Sequence, residues 1–189
     1  MGSRIYSGAV ERLRRADRLE VMQVDRVVEI CLNQGDFKTV LDCGTGSGVF
    51  AEAFFKNGLQ IAGVDLNPDM ISTTREYVPG GEFKVGHLEN LPFKDKSFDL
   101  VFYAHSLHEA GDLSLALREA RRVARSHVIA LEWPFRFKLH GPPIWHRIRV
   151  GKLRQVVRQL NFTQLTIEKV GDQNLFILTC IDNNDIRNK

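Results

Sequence analysis

The chain has 189 residues, 43% hydrophobic and 26% charged, with a formal net charge of +3. That is the balance of one domain large enough to bury a full core. No run of about 18 apolar residues exists to cross a bilayer, and Met1 to Arg18 lacks the apolar stretch of a secretory signal. The three cysteines, Cys31, Cys43 and Cys180, have neither paired nor metal-like spacing. This argues against disulfides and zinc and for a reduced, cytoplasmic setting.

Leu19, Met22, Val24, Val27, Val28, Ile30 and Cys31 recur at helical spacing, which predicts a helix over 16–34. A first strand is expected at 39–42, and a helix over 49–55 follows, closed by Asn57-Gly58. A second strand covers 60–65. Asn67-Pro68 then opens a helix over 69–77, which Pro79-Gly80-Gly81 stops. Further strands are predicted at 83–85, 98–103 and 127–133, with a helix over 113–124. Strands alternating with helices imply parallel pairing covered on both faces. The end of the chain breaks the rhythm: 162–170 and 175–180 read as a hairpin joined by Gly171-Asp172-Gln173-Asn174.

The junction at 38–48 carries the most information. A short apolar strand ends in Asp42 and runs into Gly44, Thr45, Gly46, Ser47 and Gly48, with a helix beginning at once. Strand, glycine loop and helix is how α/β proteins hold a nucleoside-bearing cofactor. A dinucleotide would bring an anionic pyrophosphate to this turn. At roughly 5 Å and an effective dielectric of about 20, the Asp42 carboxylate would repel it by about 3 kcal/mol. A ligand with ammonium and sulfonium centres would be attracted. Val49 also stands where the dinucleotide fingerprint wants a small residue. Asp65, at the end of the second strand, can accept from both ribose hydroxyls without choosing between cofactors.

At this point the chain resembles the class I (Rossmann-like) S-adenosylmethionine-dependent methyltransferases, in their type 11 or ubiquinone-biosynthesis-like subgroup. The resemblance covers about residues 36–180: the glycine loop, Asp65, Leu91-Pro92-Phe93 with the turn to Asp99, and the fourth strand. It implies an α/β three-layer sandwich with a seven-stranded, mostly parallel sheet. The implied order is 3-2-1-4-5-7-6, with the last strand antiparallel. One domain is expected, residues 1–35 forming a helical lid on a core of 36–180. S-adenosylmethionine would be held by Asp42, Gly44, Thr45, Gly46, Ser47, Gly48, Asp65, Leu66, His87, Leu88 and Tyr103.

His87 stands where the family usually has an Asp that accepts from the adenine amine; a neutral imidazole nitrogen can accept one such bond. His105 and His108, with Glu109 beside them, are the candidates for a general base near the transferred methyl group. Tyr6, Trp133, Phe135 and Trp145 are candidate walls of an acceptor site. The expected acceptor is a small molecule. Three basic groups, at Arg12 to Arg18, Arg118 to Arg125 and Arg136 to Arg158 (with Lys138), leave RNA or protein methylation open. Two further readings are a cofactor-binding regulator without catalysis and a nucleotide-dependent oxidoreductase. No metal site is expected.

Overall fold

In the residues described by this computed structural model, 10–137 and 141–180, the chain opens with a 3-10 turn at Val10–Arg14 and helix α1 (Ala16–Met22). The single helix expected over 16–34 is two: Gln23 adopts φ 48 and separates α1 from α2 (Val24–Leu32). At the break the Val21 carbonyl accepts from the Gln173 side chain at 2.7 Å. α2 buries Val27, Val28, Ile30 and Cys31 in the core, so this part of the expected lid is a packing layer. Tyr6 and Lys138 lie outside the described residues.

Seven strands follow: β1 (Thr39–Cys43), β2 (Gln60–Asp65), β3 (Glu82–Val85), β4 (Phe98–Ala104), β5 (Ala124–Glu132), β6 (Gln164–Val170) and β7 (Gln173–Thr179). They form one sheet in the order β3-β2-β1-β4-β5-β7-β6, as the resemblance implied. The first five are parallel, and β7 runs antiparallel to both β5 and β6. The crossovers are α3 (Val49–Lys56), α4 (Pro68–Tyr77), α5 (Leu113–Val123) and α6 (Val150–Gln159). Local chemistry sets two of their starts. Asn67 accepts from the Asp69 amide at 2.9 Å ahead of α4, and Asp112 caps α5 through Ser114 and Leu115.

Two boundaries differ from expectation. β5 starts three residues early, at Ala124, and stops at Glu132, leaving Trp133 in the following loop. The hairpin turn is only Gly171-Asp172, because Val170 pairs with Gln173. Gln173 is fully buried and its amide is spent on Val21, so it behaves as a strand residue despite its polarity.

Side chains alternate between the two faces of the sheet. Leu41, Val101, Tyr103, Val128 and Ala130 face α5 and α6, whereas Val40, Leu100, Phe102, Ile129 and Leu131 face the layer of α2, α3 and α4. At the amino edge, Asp99 accepts from the Lys38 and Thr39 amides, from Thr39 Oγ1 and from Arg125. Arg122 donates to the Leu91 and Phe93 carbonyls and pairs with Glu119 and Asp95. Much of the basic group predicted at 118–125 is therefore structural.

Phe102 is fully buried between Phe50 and Phe54, with ring centroids 4.9 and 5.2 Å away. Phe102→Ala should lower unfolding stability by about 3–5 kcal/mol in urea melts. A loss below about 1 kcal/mol would mean that this layer repacks freely.

Candidate functional site

The carboxyl ends of β1, β2 and β4 meet where the strand order reverses, the place where open α/β sheets bind ligands. Between β1 and α3 the chain turns through Gly44 (φ 70), Gly46 (φ 54) and Gly48 (φ 75). A side chain at Gly44 would strike Ser106, and one at Gly48 would meet Thr74 Cγ2 at 2.7 Å. The Gly46 amide donates to Asp65 Oδ2 at 2.9 Å, and Thr45 Oγ1 donates to Asp42 Oδ2 at 2.8 Å. Ser47 Oγ is buried with no hydrogen-bond partner. Arg14 fastens the N-terminal turn over this loop: its Nε donates to the Ser47 carbonyl at 3.0 Å, and its other nitrogens reach Glu52 at 2.8 Å. Its guanidinium also lies 3.3 Å from the centre of the Tyr77 ring.

Two cavities open here. One, of about 100 Å³, is lined by Asp42, Thr45, Ser47, Asp65, Met70 and His105, with Leu13, Arg18 and Met22 at its outer side. The other, of about 370 Å³, is lined by Leu66, Gly86, His87 and Leu88. Gly44, Asp65, Ser106 and Glu109 border both, so they are two ends of one cleft. A third cavity, of about 620 Å³, begins on the far side of His105 and Glu109 and is lined by Arg12, Arg15, Arg18, His108, Trp133 and Pro142 among others.

Arg18 shares the lining of this cleft with Asp42 and Asp65, yet both carboxyls are raised. Burial pushes the Asp42 carboxyl up to about 7; Thr45 opposes this and Asp65 adds to it. Burial likewise raises Asp65, against hydrogen bonds from the Asn67 and Gly46 amides. Both carboxylates are held where ionisation is costly unless a cation comes between them.

The two histidines differ in kind. His105 has φ 56, is buried, and stacks on Trp133 at 4.9 Å between ring centres. Burial pushes its imidazole down to about 4, so it is neutral and a weak base at neutral pH. His108 Nδ1 lies 2.7 Å from Glu132 Oε2, and its backbone amide donates to Glu132 Oε1 at 3.1 Å. An ionised carboxylate only accepts, which puts the Nδ1 proton on His108 and leaves Nε2 able to take another. Burial works against a charged imidazole here, but Glu132 outweighs it and raises His108 above its ordinary range.

Residues 41–131 match the family model described as a methyltransferase domain. In sequence this chain is similar to proteins named as methyltransferases. It is 38% identical over 102 residues to the demethylmenaquinone methyltransferase of Thermotoga maritima, covering 53% of this chain and 44% of that protein. Over 91 residues it is 35% identical to the malonyl-[acyl-carrier protein] O-methyltransferase of Erwinia pyrifoliae, covering 48% of this chain and 35% of the relative. The chain thus spans less than half the length of these two relatives. A SAM-dependent methyltransferase from Aquifex aeolicus has the same fold, with a TM-score of 0.78 at 19% identity over 91% of this chain and 97% of that one.

Of the cofactor residues expected from sequence, the fold brings Asp42, Gly44, Thr45, Gly46, Ser47, Asp65, Leu66, His87 and Leu88 to the cleft. Gly48 stands behind the loop against Thr74. Tyr103 is elsewhere: it is fully buried on the α5 side, its hydroxyl pointing to the Ala116 carbonyl at 3.4 Å, and it lines neither end of the cleft. The register of β4 decides this, since odd positions of that strand face α5. His105 and His108 border the third cavity, as does Trp133, while Phe135 and Trp145 do not line it. Glu132 and Ser106 escaped the sequence reading. Glu132 ends β5, and a carboxylate at the carboxyl end of a parallel strand was the available signal.

Asp42 ionises near 4 in an unfolded chain and near 7 in the fold. Its raised folded value means that folding stability falls as pH climbs between those values and is level above them. Asp42→Asn removes the cost. In thermal melts without ligand, the advantage of Asp42→Asn over the parent should widen from about pH 4 to about pH 7 and then hold. A constant difference across this range would show that Asp42 is ionised throughout.

Proposed function

We propose that this chain transfers a methyl group from S-adenosylmethionine to a small-molecule acceptor. Buried Asp42 and half-buried Asp65, both raised by burial, on a glycine-lined cleft carry the reading. A ligand with ammonium and sulfonium centres favours their ionised forms, whereas a pyrophosphate opposes them. Ser47 Oγ and the loop amides suit the carboxylate of the amino-acid portion. Asp65 has lone pairs left for the ribose hydroxyls, and Leu66, His87 and Leu88 flank the adenine end. When bound, the cofactor supplies an electrophilic methyl group on a good leaving group. His108, oriented by Glu132, takes the acceptor's proton at Nε2, and neutral His105 with Trp133 forms the wall between cofactor and acceptor. The third cavity falls within the usual size range of small-molecule sites, roughly 300–1,000 Å³. The relatives named for demethylmenaquinone and for malonyl-acyl carrier protein support a small reacting group. Cys31, Cys43 and Cys180 are buried and form no disulfide among the described residues, in keeping with a reducing cytoplasm.

Thermal shift separates the cofactor classes. S-adenosylmethionine and S-adenosylhomocysteine should raise the melting temperature, and Asp65→Ala should abolish the shift; stabilisation by NAD or NADP instead would overturn the assignment. An acceptor can then be found by incubating the protein with methyl-labelled cofactor and small-molecule extracts. A stabilising cofactor with no labelled product in any extract would favour a non-catalytic regulator.

With such an acceptor, Glu132→Gln should slow turnover by about 100-fold, the size of a general-base contribution. Cofactor stabilisation should persist, and the His108 titration followed by NMR should move to lower pH. Slowed turnover with an unmoved titration would confine Glu132 to packing.

A further inference from the structure

No helix among the described residues is long and apolar enough to cross a membrane. From Trp133 to Ile167 the chain has no Asp or Glu in 35 residues and has seven Lys or Arg, in a protein whose net charge is only +3. The same stretch holds the two most exposed aromatic side chains described, Phe137 at 81% and Trp145 at 75%. Burying either in the fold would be favourable, and neither is buried.

The two described arms of the loop that carries them are tied down. Arg147 is buried, and its guanidinium donates to the carbonyls of Pro142 at 2.8 Å, Arg136 at 2.7 Å and Pro134 at 3.2 Å. This ties both arms of the loop, 134–137 and 141–146, to the start of α6. Arg149 then lies over the Phe135 ring at 4.8 Å, and Lys152 follows one turn along, exposed. Exposed aromatics therefore stand beside exposed cations on a fixed frame. The third cavity is lined by Arg12, Arg15 and Arg18 together with Trp133, Gly141 and Pro142, and Arg15 is paired with Asp17 of the same lining at 3.1 Å.

We propose that this loop and the amino-terminal end of α6 dock on an anionic lipid bilayer, with Phe137 and Trp145 entering the interface and Arg149 and Lys152 on the headgroup phosphates. Tryptophan and phenylalanine favour that depth, and each cation near such a surface strengthens binding about fivefold. Single-stranded nucleic acid also offers phosphates and stacking faces. The loop favours lipid because Ile144 and Pro143 accompany the aromatics, and these insert among acyl chains but do not stack on bases. Docking here turns the mouth of the acceptor cavity toward the membrane. On the methyl-transfer reading, an amphiphilic acceptor enters from the bilayer.

Vesicles of phosphatidylcholine alone and of phosphatidylcholine with phosphatidylglycerol, incubated with the full chain and floated, test this directly. The protein should float with the mixed vesicles, less so at high salt, and not with phosphatidylcholine alone. Trp145 emission should shift to the blue and be quenched by brominated acyl chains, and the shift should vanish in Trp145→Phe. Phe137→Ala with Trp145→Ala should weaken partition at least tenfold, as should Arg149→Glu with Lys152→Glu. Acidic residues at that end of α6 suit the helix dipole, so the charge-reversed variant keeps its fold. Stabilisation by S-adenosylmethionine, measured on each variant, reports the fold and tests the methyl-transfer reading separately. Flotation with neither vesicle, or binding to an oligouridylate without flotation, would overturn the proposal.

Discussion

The burial of two carboxyl groups at the carboxyl edge of the sheet is the constraint around which this site is arranged. Three aspartates on the strands of the sheet make the point by contrast. Asp99, at the amino edge, is surrounded by donors; hydrogen bonds from Lys38, Thr39 and Arg125 overcome its partial burial and hold its carboxyl below the ordinary range. Asp42 and Asp65, at the opposite edge, are buried more deeply with fewer donors, and both are raised. One edge has been stabilised as structure. The other stores an unmet electrostatic demand that a cationic ligand satisfies. The glycine turn makes the demand specific, because it lets a ligand reach both carboxylates where side chains would otherwise stand.

The reversed strand β7 extends this logic to the acceptor side. Because it pairs antiparallel with β5, its start at Gln173 lies near the carboxyl end of β5, opposite Glu132 and the α1 break. Glu132 is fully buried and accepts from His108 through both the ring and the backbone amide. His105, three residues earlier, is buried by Trp133 and has no such carboxylate contact. Two histidines close in sequence are consequently pushed in opposite directions, His105 toward the neutral form and His108 toward the charged one. Environments that separate the pKa values of neighbouring groups are the usual way a site assigns acid, base and bystander roles.

Much of this was legible in the sequence. The apolar strands, the glycine loop and the placement of Asp65 depend on local patterns, and strand order followed from the family resemblance those patterns carry. What escaped depends on contacts between distant segments. No periodicity signals that Gln173 will claim the Val21 carbonyl where one helix becomes two. Tyr103 was assigned to the pocket because β4 leads there; only the register of the strand shows that its side chain leaves by the other face. Glu132 looked like the polar end of a strand until His108 was brought beside it. The arginines misled for a related reason, since a charge cluster in sequence says nothing of how many of its members are already spent.

How those arginines are spent bears on the chain's outward chemistry. Arg14 holds the N-terminal turn to the cofactor loop, Arg122 closes the Leu91-Pro92-Phe93 turn, Arg125 braces Asp99, and Arg147 ties the loop after β5. Each uses its planar fork to satisfy carbonyls or carboxylates that the fold would otherwise leave short. Subtracting them strips two of the three basic groups of much of their apparent surface charge. The third behaves differently: one buried arginine builds the frame, and Arg149 and Lys152 are left exposed on it beside two aromatics. Exposed positive charge therefore remains on the start of α6, next to the loop that follows β5.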